Sequence, residues 1–577
     1  MVPGVLFVII SNIFGVIPAQ IIRIAFDLVN ENIAIYRLFN DFKRHEIIDE
    51  IFGQSLLLFG AIVLLLALLR GVFLFLMRQT IILMSRHIEY DLKNEIYNHY
   101  QKLSLAFYRR NNTGDLTNRV TEDVSRVRMY LGPAIMYTIN TIVLFILIIG
   151  FMLNVNPRLA IYSLLPLPFL AITIYFVNTM INSRSEKIQE QLSELSNFVQ
   201  ETFSGIRVIK AYVRETDVRE KFDAESENYK AHSMALVQVQ ALFFPVIMLL
   251  VGLSTIITVY IGGTEVMNGT ITSGNIAEFI IYVSLLTFPV MSLGWVTSLI
   301  QRAAASQKRI NEFLNTQPEI ISSSSELFEV KGEIKFKNVS FTYPDTGIQA
   351  IKNISLDVNA GEFLAIIGRT GSGKSTLANL LMRMYDVDSG NILIDNRPLN
   401  SLDLGNFRHQ VGFVPQEVFL FSETIRNNIA FGLSDPDNLS IENAAKNAAV
   451  YYNITEFENG FETMIGERGI TLSGGQKQRL SIARAIIKEP RILIFDDCLS
   501  AVDTRTEEQV LNNLSRLMRG KTSILIAHRV STIKNADKIL VMEAGEIVEQ
   551  GNHDTLMDLK GIYFDLYEKQ LLEEQIV

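Results

Sequence analysis

Two adjacent carboxylates, Asp496 and Asp497, close the apolar run ILIF (492–495) within RILIFDDCLSAVD, residues 491–503. A buried strand that ends on two carboxylates can give one to a cation and use the other to orient or deprotonate a nucleophile. A matching group lies upstream. GRTGSGKST (368–376) follows the apolar run FLAII and opens the helical run LANLLMRM. It fits G-x-x-x-x-G-K-[ST] through Gly368, Gly373, Lys374 and Ser375. Glycines let the N–H groups of this turn, which also holds Arg369, Thr370, Gly371 and Ser372, point at phosphate oxygens, and the helix starting near Thr376 adds its dipole. Lys374 would then reach the β- and γ-phosphates. The Ser375 hydroxyl and Asp496 would hold Mg²⁺.

Asp497 occupies the place of the group that activates water. A general base must come within about 2.6–3.2 Å of its target. Aspartate is one methylene shorter than glutamate, so it would fall short by roughly 1 Å, a distance that costs on the order of 100-fold in rate. Binding should survive, because the phosphate grip and the Mg²⁺ ligands are untouched; hydrolysis at this site should be slow. Between the two motifs, LSGGQKQR (472–479) opens another helix. Ser473, Gly474, Gly475 and Gln476 have the makings of a second anion-binding helix start, and no phosphate of the same chain need lie near it.

The elements that must position these residues fall in two halves. The chain has 577 residues, 49% of them hydrophobic and 20% charged, with mean hydropathy +0.24. The apolar residues concentrate in six runs near the ~20 residues needed to cross a bilayer as helix: 2–22, 55–77, 134–153, 159–177, 241–261 and 276–296. Six such runs exclude a soluble P-loop enzyme. The links after the second and fourth runs are long, polar, helical in pattern and rich in Arg and Lys, including Arg109, Arg119, Arg207 and Lys210. By the positive-inside rule both loops and both termini are expected in the cytosol, although Arg37, Lys43 and Arg44 in the first outer loop run against it. The reading is a multi-pass protein of a bacterial-type cytoplasmic membrane. A transmembrane domain covers 1–314 with cytoplasmic loops at about 78–133 and 180–238, a Ser-rich linker follows at 315–326, and a soluble α/β domain of mainly parallel sheet covers 327–577.

Several function classes drop out on composition. A net charge of −9 argues against nucleic acid as a partner. The lone cysteine, Cys498, excludes a disulfide framework or a cysteine zinc site and reads as a small buried filler. Arg70, inside the second run, is read as snorkelling to the inner headgroups rather than contacting substrate. Trp295 and its neighbours Phe279, Tyr282 and Phe288 could line a pathway or face lipid or another helix. No basic stretch precedes the first run, so no cleavable signal peptide is expected.

LSGGQ between a P-loop and a strand-end DD resembles the nucleotide-binding domain of an ATP-binding cassette (ABC) transporter. The resemblance implies that Tyr343 in FTYPD stacks on adenine, and that Gln416 in VPQEVFLF touches Mg²⁺ and the attacking water. It further implies an X-loop at TMIGERG (463–469), a D-loop at SAVD (500–503) and a switch histidine at His528. The membrane half resembles the type I exporters of this family at Gly114, Leu116, Arg119 and Asp123 in the first loop, and at Glu201, Gly205, Ile206, Val208 and Lys210 in the second. Each loop is implied to end in a short coupling helix on a nucleotide-binding domain. Such proteins usually begin with a cytoplasmic elbow helix, whereas here Met1 stands almost inside the first run.

One P-loop, one LSGGQ and six spans make half of the family's working unit, so the resemblance implies a dimer with a second half-transporter. The Asp497 position is most similar to the degenerate half of heterodimeric multidrug-type exporters, which favours a heterodimer over a homodimer. The implied activity is an ATPase coupled to export of amphipathic small molecules or lipids from the bilayer by alternating access. A flippase for lipids or lipid-linked precursors, and a nucleotide-gated channel or regulator, stand as alternatives.

Overall fold

Among the described residues, helix rather than loop carries most of the polar stretches between the apolar runs. The computed structural model describes residues 2–38, 45–322, 326–433, 436–466, 472–499 and 504–576. The chain divides into two units, Met1–Tyr100 with Gly114–Thr316, and Gln101–Thr113 with Gln317–Val577.

In the first unit α1 (Val2–Leu38) and α2 (His45–Lys102) are continuous helices of 37 and 58 residues. At about 1.5 Å per residue α2 is roughly 87 Å long, nearly three times a ~30 Å hydrocarbon core, so its polar half must continue into water. After α3 (Leu105–Arg110), which belongs to the second unit, the third run is helical from α4 (Thr113–Asn118) through α5 (Val124–Met129) to α6 (Ile135–Val155). Two π-helical turns interrupt it, Arg119–Asp123 and Tyr130–Ala134. Pro133 lies in the second and cannot donate to an i−4 carbonyl, which accounts for the wider turn there. Asn156 caps α7 (Pro157–Leu164) by accepting from the Leu159 amide at 2.9 Å. Pro166 starts α8 (Pro166–Ser204), and α9 (Ile206–Ala211), α10 (Glu215–Met267) and α11 (Ser273–Leu314) follow. Among the described residues six helical stretches are long and apolar enough to cross a membrane, matching the six runs.

Lipid-like surroundings remove most of the hydrophobic drive between helices, so polar contacts and close packing must hold them. Between α7 and α10, the Thr258 hydroxyl donates to Ser163 Oγ at 2.8 Å and Ser254 donates to the Ser163 carbonyl at 2.5 Å. Glu278 on α11 is fully buried, 3.3 Å from Arg23 of α1, and accepts from the Tyr282 hydroxyl at 2.8 Å. Arg70 lays its guanidinium on Gly15 of α1, with Nε enclosed and without a hydrogen-bond partner among the described residues. Trp295 packs edge-on against Tyr137 of α6 at 5.5 Å, while Phe279 and Tyr282 are buried among the helices. The first π-turn is tied to α11 by Asp123, which is 1% exposed, accepts from Ser306 Oγ at 2.8 Å and pairs with Arg309.

In the second unit, β1 (Ile334–Thr342), β2 (Gln349–Val358), β4 (Ser389–Ile394) and β5 (Arg397–Pro398) form an antiparallel sheet in the order β2-β1-β4-β5. A second sheet runs β10-β9-β3-β8-β7-β6, built of β3 (Phe363–Gly368), β6 (Val411–Val414), β7 (Ile492–Asp496), β8 (Thr522–Ile526), β9 (Lys538–Glu543) and β10 (Glu546–Gly551). All its pairings are parallel except β9 with β10. Strands β7 and β8 are buried along their whole length, which is why ILIF (492–495) and ILI (524–526) read as unbroken apolar runs. Cys498 is buried in the core on one side of this sheet, as a filler should be. Because β3, β8 and β7 are parallel neighbours, the loops after all three emerge at one edge, where α/β proteins place their ligands.

The Asp123 tie generates a stability prediction. Asp123→Ala should leave the Ser306 hydroxyl and Arg309 without their acceptor and destabilise the protein by roughly 1–3 kcal/mol. The thermal unfolding midpoint in detergent should fall, and by less for Ser306→Ala. An unchanged midpoint for Asp123→Ala would show that the π-turn is held by something else.

Candidate functional site

The loops after β3, β7 and β8 enclose a cavity of about 360 Å³ lined by Tyr343, Thr370, Gly371, Ser372, Gly373, Lys374, Ser375, Thr376, Gln416, Asp496, Asp497 and His528. Gly368 and Arg369 stand outside that lining; their carbonyls accept from Lys374 Nζ at 2.7 and 2.9 Å. The helix α12 (Lys374–Leu381) begins at Gly373, whose φ is +98°. Only glycine takes that conformation without strain, and a Cβ there would lie 2.5 Å from the Ala350 carbonyl oxygen.

The Ser375 hydroxyl donates to Asp496 Oδ1 at 2.9 Å across 121 residues of sequence. Two hard oxygen donors side by side next to a phosphate-binding turn suit a small divalent cation, which commonly takes one or two carboxylates and leaves its other positions to phosphate and water. Burial holds the Asp496 carboxyl above the ordinary range, Asp497 reinforcing this, while Ser375 and Lys374 oppose it. Burial also lowers the Lys374 ammonium, against the pull of Asp497 and Asp496. The site thus concentrates two negative groups and one positive group out of water.

Asp497 has φ +46°, in the left-handed region that aspartate tolerates better than most residues. Its amide donates to the Ile526 carbonyl at 2.9 Å, fixing the backbone to the end of β8. Its Oδ2 lies 3.9 Å from His528 Nε2, beyond hydrogen-bond length. His528 keeps its ring partly exposed toward the cavity, while its carbonyl accepts from Gln570 at 2.6 Å. Tyr343 places its hydroxyl 3.0 Å from Thr376 Oγ1, and Gln416 lines the cavity from an exposed loop.

The signature residues stand elsewhere. Among the described residues lining the cavity, none is Ser473, Gly474, Gly475 or Gln476. They start the helix Gly474–Ile486 with a capping box: Gln476 N donates to Ser473 Oγ at 3.3 Å and Ser473 N donates to Gln476 Oε1 at 2.9 Å. Residues 500–503, the expected D-loop, and 467–469 of the expected X-loop lie outside the described residues. The motifs did not announce the turn Ala544–Gly545, which also lines the cavity. Its Gly545 amide donates to the Ser372 carbonyl at 3.2 Å and its carbonyl accepts from the Lys352 amide at 2.9 Å. A two-residue turn between apolar strands was the available signal.

Residues 2–290 match the family described as ABC transporter transmembrane region, and residues 351–500 the one described as ABC transporter. The chain is 36% identical to the multidrug resistance-like ATP-binding protein MdlA of Escherichia coli over 85% of its own length and 83% of that protein. It is also 36% identical to the ATP-dependent lipid A-core flippase of Syntrophus aciditrophicus, over 86% of this chain and 83% of the relative. A solved bacterial Atm1-family ABC exporter with ATP bound superposes with a TM-score of 0.74 at 27% identity, covering 98% of each chain.

Two glycines of the turn separate backbone strain from collision. Gly371 also has positive φ, but a Cβ there meets nothing within 4 Å. Gly373→Ala should therefore lower nucleotide affinity at least tenfold more than Gly371→Ala, as measured by nucleotide-induced thermal stabilisation of the purified protein. Equal losses would mean that the contact with Ala350 does not shape the phosphate turn.

Proposed function

The chain belongs to the ABC transporter family, with a membrane domain of six apolar helices fused to an ATPase domain, and from that premise we propose that it is one half of a dimeric exporter of amphipathic small molecules or lipids. The observation that carries the reading is a single cavity holding Lys374, the bonded pair Ser375–Asp496, Asp497 and His528. In this reading Tyr343 stacks on the base of ATP, and the turn 368–376 with Lys374 binds its phosphates. Ser375, Asp496 and Gln416 would hold Mg²⁺, which when bound would supply positive charge to offset that of the phosphates. The spans lie in a cytoplasmic membrane with both termini in the cytosol; residues 1–314 are the membrane domain, 315–326 the linker and 327–577 the nucleotide domain.

Asp497 is the residue that qualifies the activity. It is placed to activate water but is pinned at its backbone and ends 3.9 Å from His528. A glutamate would add the missing reach; aspartate leaves a site that binds ATP better than it cleaves it. The absence of residues 473–476 from the chain's own cavity supports a dimer in which they complete the partner's site. So do the apolar side chains that the second loop leaves in water, Phe203, Tyr212 and Val213 at 70%, 75% and 80% exposure. An intact LSGGQ beside a shortened base favours a heterodimer, with the faster site completed by this chain's signature and carrying its glutamate on the other chain. Closure of the two nucleotide domains on ATP would open the spans outward, and hydrolysis with release would reset them.

Reconstituted alone in liposomes, the chain should hydrolyse ATP slowly, and Asp497→Glu should raise the rate at least tenfold. ATP-dependent movement of an amphipathic dye or a fluorescent lipid should rise with it. An unchanged rate would remove Asp497 as the handicap, and absence of ATP-dependent movement of both cargoes, by the Asp497→Glu chain alone and by the chain paired with a second half-transporter that carries the glutamate, would sink the export reading.

A further inference from the structure

The aromatic end of the cavity carries a cation from an unexpected part of the chain. Arg109 lies on α3, in the first loop of the membrane half, yet α3 belongs to the nucleotide-binding unit. Ala106 of α3 is buried in the same apolar core as Phe341, Ile351, Leu377 and Tyr385. Glu319 holds both ends of the helix, accepting from Ser104 Oγ at 3.0 Å and pairing with Arg110 at 3.4 Å. So anchored, α3 sets the Arg109 guanidinium carbon 5.2 Å from the centroid of the Tyr343 ring and 5.9 Å from that of Tyr385. Both distances are within cation–π range.

The three rings form one block. Tyr343 and Tyr385 meet edge to face at 5.4 Å, and Phe341 touches both at 5.0 and 5.3 Å. Tyr343 lines the cavity, whereas Arg109 does not. The cation therefore approaches the tyrosine without occupying the space in which a base would lie. Tyr343 is also tethered through its hydroxyl to Thr376, in the first turn of α12.

We propose that Arg109 is a positioning residue for the nucleotide base: it holds the Tyr343 ring in its stacking orientation and couples base occupancy to α3. This rests on the reading of the cavity as the ATP site. A ring clamped between its hydroxyl tether and a cation loses little further freedom when a base stacks on it, so part of the ordering is done before binding. By linkage the stacked base strengthens the hold of Tyr343 on Arg109 by the same factor. Only two residues separate α3 from α2, so the segment that answers to the base is continuous with a 58-residue helix of the membrane half. Lysine keeps the charge that faces the ring but not the planar group that stacks on it.

The test compares a ligand with a base and one without, on the full-length protein in lipid nanodiscs by titration calorimetry. Arg109→Ala should weaken Mg-ATP binding about two- to fivefold, the range expected from an exposed cation–π contact, and leave Mg-tripolyphosphate binding unchanged. Arg109→Lys should recover at least half of the lost affinity. An unchanged ATP affinity in Arg109→Ala, or an equal loss for ATP and tripolyphosphate, would overturn the proposal, the second outcome pointing to a general disturbance of α3. Lys374→Ala serves as the reference. It should lose both ligands, and if it keeps both, the reading of the cavity fails rather than the role of Arg109.

Discussion

One hydrogen bond, from the Ser375 hydroxyl to Asp496 at 2.9 Å, joins the two halves of the chemistry. Its donor starts a helix after β3 and its acceptor ends β7, and it can form only because β8 stands between those strands in a parallel sheet. Everything else at the site is arranged around that edge. The glycine turn that precedes Ser375 is braced from behind by the Ala544–Gly545 turn. The residue after Asp496 is carried by the same strand end and tied by its amide to β8. A shift of β7 by one residue would turn Asp496 to the opposite face and separate metal donor from phosphate turn.

On the proposed reading, that rigidity is why a single methylene would matter. In a loose loop, a short side chain could be compensated by a backbone shift of an ångström. Asp497 has no such freedom, because its amide is bonded to Ile526 and its backbone sits in the left-handed region. The carboxylate stops 3.9 Å from His528, and the scaffold that holds Asp496 in register for a cation is the one that prevents Asp497 from reaching further. On the reading proposed above, retained binding, impaired cleavage and the call for a partner would all rest on this one geometry.

Much of this was legible in the sequence, for local reasons. The phosphate turn, the double aspartate and the signature are contiguous stretches whose residue types state their backbone geometry. The six spans declare themselves by length and apolarity alone, and the buried parallel strands by unbroken apolar runs. What escaped depends on contacts far apart in sequence. Arg109 looks like one of many basic loop residues until α3 sets it over Tyr343, 234 positions later. Arg70 had an apolar stretch around it and no indication that Gly15 of another helix would receive its guanidinium. The π-turns at Arg119–Asp123 and Tyr130–Ala134 carry a proline in one case and no obvious breaker in the other.

What the Asp497 site does with ATP over one turnover decides whether cleavage there is impaired. The direct measurement is a single-turnover experiment on the full-length chain in lipid, with Mg²⁺ and radiolabelled ATP below the protein concentration, following the chemical state of the bound nucleotide. ATP should be bound promptly and remain predominantly ATP for many minutes. Prompt conversion of the bound nucleotide to ADP and phosphate by the unaltered chain would contradict an impaired Asp497 site.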